Sequence, residues 1–235
     1  MCEYNHLVRN DWRRVPLTSL GNKEVGIDLG VNNLFAVFVE DGTTFLVSGR
    51  PLKAEAFYWR KKIAEAQSKG DMNRVRKYYL IWRGKWEHCV RSNLRDLFEK
   101  LYELGVSKVK VGCPKYIAKE PNKSAKVNFE ITNLQSYRKI YQWIKDLCEE
   151  YGMEYIPVEE KYTSKTCPLC GEIHNNGRKY RGLFVCPANR KAMNADLVGA
   201  FNILYNVESP QGDSRNGSKT APLSSLPALA GSLAL

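Results

Sequence analysis

The stretch that most constrains this chain runs from Cys167 to Tyr205, CPLCGEIHNNGRKYRGLFVCPANRKAMNADLVGAFNILY. It opens with Cys167-Pro168-Leu169-Cys170-Gly171. Two thiolates at this spacing grip one tetrahedral ion, and the glycine lets the turn close behind them. A polar turn leads to a strand-like run, Gly182–Val185, and then to Cys186. A zinc ribbon would place its fourth ligand three residues on, where this chain has Asn189. Asp196 then opens an apolar-periodic segment of Leu197, Ala200, Phe201 and Leu204, which predicts a helix with the acid in its first turn. A carboxylate delivered beside a metal knuckle points to a second metal site of different chemistry. The rest of the chain must supply its other side.

The segment KEVGIDLGVNNLFAVFVEDGTTFLVSG supplies a candidate. Val25, Ile27 and Leu29 alternate with Gly26, Asp28 and Gly30, so the apolar side chains face one way and Asp28 the other. A turn at Gly30–Asn33, a strand at Leu34–Glu40, a hairpin turn at Asp41-Gly42 and a strand at Thr43–Val47 complete a meander. Asp28 reads in two ways, as a polar residue on a solvated strand face or as a ligand-binding group. The flanking glycines favour the second, because they clear space for close approach to the backbone.

Pro51 to Leu104 is charged and helical in period, with a break near Gly70-Asp71. Leu52, Ala56, Trp59, Ile63 and Ala66 form one stripe, and Val75, Tyr78, Tyr79, Trp82 and Trp86 another, continued by Val90, Leu94, Leu97 and Leu101. This predicts a helix to about Lys69 and a longer one to Leu104, with a bend at Gly84. Lys and Arg recur on the other faces, as a solvated surface or as a ridge tracking a nucleic-acid backbone. Val106, Val109 and Val111 make a strand ending at Gly112-Cys113-Pro114, and the preceding helices suit a crossover to a parallel neighbour. After a polar loop, a helix from Phe129 or Ile131 to Tyr151 precedes a strand at Met153–Val158. The expected fold class is α/β, a mixed sheet with flanking helices. The expected organisation is a lead-in at 1–22, a core at 23–205 with a helical insertion at 51–104 and a ribbon-like insert at 162–192, and a disordered Ser/Pro/Gly/Ala-rich tail at 206–235.

The formal net charge of +11 favours a polyanionic partner, nucleic acid first. Seven cysteines with one Cys-x-x-Cys pair fit metal ligation in a reducing compartment better than a disulfide framework. No apolar run reaches the roughly 18 residues that span a membrane. If Asp28 and Asp196 meet, two adjacent carboxylates need a cation between them, and Mg²⁺ or Mn²⁺ is the natural occupant. Such a site hydrolyses phosphodiesters. Alone, Asp196 also reads as an acid favoured by the helix dipole. His6, His88 and His174 show no catalytic-triad pattern.

GIDLGVNNL resembles the first RuvC motif of the TnpB (OrfB) proteins of the IS200/IS605 and IS607 insertion-sequence families, relatives of the Cas12 nucleases. YTSKTCPLCG followed by CPANRKAMNADLVGAFNIL resembles their zinc ribbon and third RuvC motif. The resemblance covers roughly Lys23 to Tyr205. It implies an RNase H-like (RuvC-like) core, RNA-guided DNA endonuclease activity, DNA and a guide RNA as partners, catalytic and metal-binding roles for Asp28 and Asp196 with Mg²⁺ or Mn²⁺, and zinc on Cys167, Cys170 and Cys186. Tyr162, Thr163 and Ser164 match the lead-in to the ribbon, and Asn202 the closing helix. Three departures stand out. The middle motif usually ends its strand with glutamate, and Gly112-Cys113-Pro114 has none; Glu120, Glu130, Glu159 and Glu160 are the available substitutes. Asn189 stands where the fourth cysteine belongs, leaving His174, water or a metal-free ribbon as alternatives. Only Met1–Asn22 precedes the first motif. A truncated or decaying copy would account for all three, as would a compact relative whose partners supply the missing parts. A nucleic-acid-binding protein with a weak or inactive nuclease fold is the competing expectation.

Overall fold

The computed structural model describes residues 17–113, 137–159, 165–180 and 182–205. The lead-in up to residue 16, Glu120, Glu130, Glu160, Tyr162–Ser164, the start of the helix expected from residue 129 or 131, and the 206–235 tail lie outside them.

The alternating segment forms β1 (Lys23–Leu29), followed by β2 (Asn33–Val39) and β3 (Thr44–Ser48). Two helices come next, α1 (Arg50–Ser68) and α2 (Met72–Glu103). Then β4 (Val106–Cys113), α3 (Tyr137–Tyr151) and β5 (Glu154–Glu159) complete the main body. The five strands form one sheet in the order β3-β2-β1-β4-β5. β1 runs antiparallel to β2 and parallel to β4, so the acid-bearing strand is central and the helical crossover joins parallel neighbours.

Strand alternation gives the sheet two different faces. Val25, Ile27, Val37, Val109 and Val111 face Val90, Leu94, Leu97 and Leu101 of α2 and Ile140 and Ile144 of α3 in the principal core. Each such side chain contributes about 1.5–3 kcal/mol by leaving water. Ala36 and Phe38 point the other way, against α4 (Ala195–Leu204), with Phe38 and Phe201 edge to face at 5.2 Å.

The stripe on α1 is buried from Leu52 to Ala66; Leu52 joins the principal core, and Ala56 to Ala66 pack with Val75 and Trp82 of α2. Gly70, at φ +71°, ends the first helix, and Asp71 caps the second by accepting the Arg74 N–H at 3.0 Å. α2 runs as one helix through Gly84. Tyr79 departs from the expected stripe, being 47% exposed. The seam follows Val75, Tyr78 and Trp82, and Tyr79 stands one position around the helix from it.

A second, antiparallel sheet of β6 (Arg178–Tyr180), β7 (Leu183–Val185) and β8 (Ala192–Asn194) leads directly into α4. Phe184, Cys186 and Met193 share one buried cluster with Leu197, Val198 and Phe201. The ribbon and the helix bearing Asp196 therefore pack as a unit.

Candidate functional site

Asp28 lies on β1 opposite Ala36, on the face that α4 covers. Two glycines let the helix come close. A Cβ on Gly26 would stand 2.2 Å from the Ala200 carbonyl oxygen and 2.7 Å from the Leu204 nitrogen. A Cβ on Gly199 would stand 2.6 Å from Asp28 Oδ2. The Asp28 carboxylate thus rests against α4, at the residue one helical turn beyond Asp196. The face expected to be either solvated or functional is half-buried beneath a helix.

Asp196 sits in the first turn of α4, as expected, behind an Asn194 cap. The Asn194 Oδ1 accepts the N–H groups of Asp196 and Leu197 at 3.0 and 3.3 Å. Asp196 Oδ2 accepts from Asn33 Nδ2 at 2.8 Å, and Oδ1 pairs with Arg178 Nη2 at 3.1 Å. Sequence reasoning missed both partners. Asn33 left a faint signal in its closeness to Asp28 in GIDLGVNN. Arg178 left none: it lies on β6, in a stretch whose sequence reads as a polar turn, because three polar residues show no strand alternation.

The parallel register pairs Ile27 with Val111. Continued by one residue, it sets Gly112 beside Asp28, so the position lacking a carboxylate is the β4 position nearest Asp28. Glu159 does not replace it, because β5 pairs Val158 with Gly112 and Glu159 with Cys113, on the opposite face. Glu24 shares the face of Asp28 but belongs to the far end of the strand. It binds Lys110 at 2.6 Å and Lys108 at 3.1 Å. The Lys110 hydrogen bond holds its carboxyl below the ordinary range against the opposing effect of burial, helped by Lys108. Lys110 also donates to the Leu204 carbonyl at 2.7 Å, tying the end of α4 to the sheet.

The ribbon contains two equivalent knuckles. In the first, the Gly171 N–H returns to the Cys167 carbonyl at 2.8 Å, with Gly171 at φ +73°. In the second, the Arg190 N–H returns to the Cys186 carbonyl at 2.8 Å, with Arg190 at φ +52°. The second knuckle keeps its shape although Asn189 occupies the ligand place. Asn189 is exposed, and its backbone N–H serves the Cys186 sulfur. His174 comes in instead. The Thr166–Ile173 bridge and the His174 N–H to Lys165 carbonyl bond fold it back over the first knuckle. His174 Nε2 lies 3.0 Å from Cys170 Sγ and 4.0 Å from Cys186 Sγ, and Cys170 and Cys186 are 3.8 Å apart. The ligand atoms of Cys167, Cys170, His174 and Cys186 all lie within 4.8 Å of one another, the one such group of three or more among the described residues. Three sulfurs and an imidazole suit Zn²⁺. Burial pushes the Cys167 thiol up to about 12 and raises Cys170. Cys186 is lowered, because backbone N–H groups of Asn189 and Ala188 and the Cys167 thiol outweigh burial.

Among the described residues, no helix is long and apolar enough to cross a membrane.

Comparison with known proteins agrees with this architecture. Residues 7–118 match the OrfB_IS605 family, described as a probable transposase, and residues 137–203 match the Cas12f1-like TNB domain. The first match begins ahead of β1, inside the segment read from sequence as a lead-in. The chain is 33% identical over 214 residues to the TnpB-like protein ORF457 of Acidianus two-tailed virus, covering 85% of this chain and 45% of that protein. It is 27% identical over 114 residues to the CRISPR-associated endodeoxyribonuclease Cas12f1 of Sulfoacidibacillus thermotolerans, covering 48% of this chain and 27% of that one. The chain thus spans less than half the length of these relatives. Its fold superposes on the Cas12f1 chain of a Cas12f1–sgRNA–target DNA complex with a TM-score of 0.64 at 19% identity, over 84% of this chain and 41% of that chain. A CRISPR-Cas12f ternary complex gives 0.64 at 17% identity, over 87% and 42%. The sheet is therefore RuvC-like, with flanking helices and an inserted zinc-ribbon-like module, and the chain belongs to the TnpB/OrfB-type family of transposon-associated proteins, relatives of Cas12f1.

Proposed function

We propose that this chain carries the nuclease centre of an RNA-guided, divalent-metal-dependent DNA endonuclease, with Asp28 and Asp196 as its catalytic carboxylates. One observation carries the reading: α4 approaches β1 at two glycines, setting the Asp28 carboxylate one turn from Asp196 on a single face. Oxygen donors of this kind suit Mg²⁺ or Mn²⁺. A bound divalent ion there would supply an activated water and charge stabilisation at the scissile phosphate. Asn33 orients Asp196 by holding Oδ2, and Arg178, set at Oδ1, brings a cation to the place where a phosphate would enter. The Cys167, Cys170, His174 and Cys186 group would hold Zn²⁺ and brace the ribbon. The complexes formed by its structural relatives and the net charge of +11 support DNA and guide RNA as partners.

A second reading is favoured by a specific feature. Gly112 beside Asp28 leaves two carboxylates where a third would strengthen cation binding. This describes a nucleic-acid-binding protein with little or no cleavage.

End-labelled single- and double-stranded DNA separates the two. Purified protein is incubated with Mg²⁺, Mn²⁺ or EDTA, with and without RNA from its own locus. The nuclease reading expects metal-dependent cutting, reduced on the order of a hundred- to a thousand-fold in Asp28→Ala and in Asp196→Ala. Salt-sensitive binding without cutting under every condition selects the second reading.

A further inference from the structure

The ribbon and the acidic centre meet in one helix. α4 carries Asp196 at its start, and three connections from the ribbon hold that helix. The first is covalent and local: β8 runs straight into α4, its last residue Asn194 pairs with Leu183 of β7, and the Ala195 N–H bonds the Gly182 carbonyl at 3.0 Å. The second is buried: Asn202 Nδ2 donates to the Thr166 carbonyl at 2.9 Å, one residue before the metal-ligand candidate Cys167. The third crosses between the two centres: Arg178 of β6 reaches Asp196 at 3.1 Å. Both knuckles are thereby tied to α4, the first through Thr166 and the second through the β7–β8 pair that flanks Cys186. Among the contacts in this region, Cys167 and Cys186 also belong to the apolar cluster that buries Leu197 and Val198.

A short ribbon with small strands has little apolar area of its own to order it. A metal on its four ligands would supply that order. We propose that metal binding at the Cys167–Cys170–His174–Cys186 group and divalent-cation binding at Asp28–Asp196 are thermodynamically linked through α4, each strengthening the other. The link rests on the reading of Asp28 and Asp196 as a cation site. Ordering the ribbon pins the start of α4, so the acidic centre no longer bears that ordering cost when its cation binds. Linkage requires the reverse effect to be of the same size.

The test uses the full chain in two forms, stripped by a chelator and reloaded with one equivalent of Zn²⁺. Free Mn²⁺ is followed by electron paramagnetic resonance, with Asp196→Asn identifying the site. Zinc retention is measured by competition with a chromophoric chelator, with and without Mn²⁺. Amide hydrogen exchange at Asp196 and Leu197 is followed in both forms. Expected are Mn²⁺ binding about tenfold tighter in the zinc-loaded form, an equal gain in zinc affinity when Mn²⁺ is present, and slower exchange at the start of α4. Arg178→Gln should tighten Mn²⁺ binding in both forms, because it removes a competing cation, and should lower their ratio, because it removes one of the three connections between ribbon and helix. Asn202→Ala should reduce the ratio. If Asn202→Ala fails to fold, the wild-type ratio and exchange rates alone decide. Equal Mn²⁺ affinity in the two forms overturns the link and leaves the nuclease reading standing. Absence of Asp196-dependent Mn²⁺ binding in both forms overturns the link together with that reading.

Discussion

The two candidate metal centres are built in opposite ways. The cysteine–histidine group comes from one stretch, Cys167 to Cys186, and its ligands are brought together by local turns. The acidic centre is assembled from the first strand and the last described helix, and its Asn33–Asp196 contact spans 163 positions. The local centre tolerates loss of one ligand position, because a histidine on a neighbouring turn reaches the same point. Among the described residues the distributed centre has no such reserve. Its third position is a backbone site, Gly112, and the acid nearest to it on β5, Glu159, faces the wrong way. Short loops let ligands migrate along the sequence, whereas sheet register does not.

The largest effect should come from the local centre. Cys186→Ser removes a buried ligand, and zinc affinity should fall by at least a hundredfold in chelator competition. Retained affinity would mean that the three remaining groups suffice. Asn189→Cys should change little by comparison, since His174 already stands within 4.0 Å of two of the sulfurs.

Next in size is the glycine approach between α4 and β1. Gly26→Ala sets a methyl group against backbone atoms 2.2 and 2.7 Å away, which side-chain rotation cannot relieve. It should cost about 3 kcal/mol in denaturant unfolding. Gly199→Ala meets the Asp28 side chain first and should cost about 1 kcal/mol while disturbing Mn²⁺ binding more than stability. Equal stability losses in the two variants would show that the helix shifts as a whole.

Gly112→Glu tests the gap in the distributed centre directly. A carboxylate added beside Asp28 should raise Mn²⁺ affinity about tenfold, read by paramagnetic resonance. No gain would mean that the register does not bring this side chain to the cation.

The smallest effect concerns the clamp on α4. Glu24 is held below its ordinary value of 4.5, first by Lys110 and then by Lys108. A carboxyl with a depressed folded pKa adds stability above its ordinary value, and this is lost as pH falls through the folded value. Lys110→Met should therefore cost about 1 kcal/mol at pH 7, with the difference from wild type shrinking below about pH 4. A difference that stays constant with pH would assign the loss to the Leu204 carbonyl contact alone.

Much of this architecture was legible in the residues. The alternation of Val25, Ile27 and Leu29 marked a strand with one buried face, because strand side chains have a period of two. The stripe from Leu52 to Ala66 marked the buried side of α1, and Gly70-Asp71 marked the break, because these residues have specific backbone and capping chemistry. Tyr79 was misplaced because an aromatic side chain satisfies an apolar pattern whether or not a neighbour covers it. The single long helix expected to Leu104 runs unbroken through Gly84, with Trp82 and Trp86 buried on either side of that weak helix former.

Local chemistry by itself thus determined the five strands of the main sheet, β7, the helices, the first knuckle and the two aspartates, since spacing along the chain sets those features; β6 and β8, three residues each, carry too short a pattern to be read. Only the tertiary structure decided that Asp28 lies under α4, that Asn33 and Arg178 hold Asp196, that His174 rather than Asn189 faces the sulfurs, and that Gly112 is the neighbour of Asp28. These depend on strand register and on helix approach over glycine, which join residues whose sequence separation carries no signal of their contact.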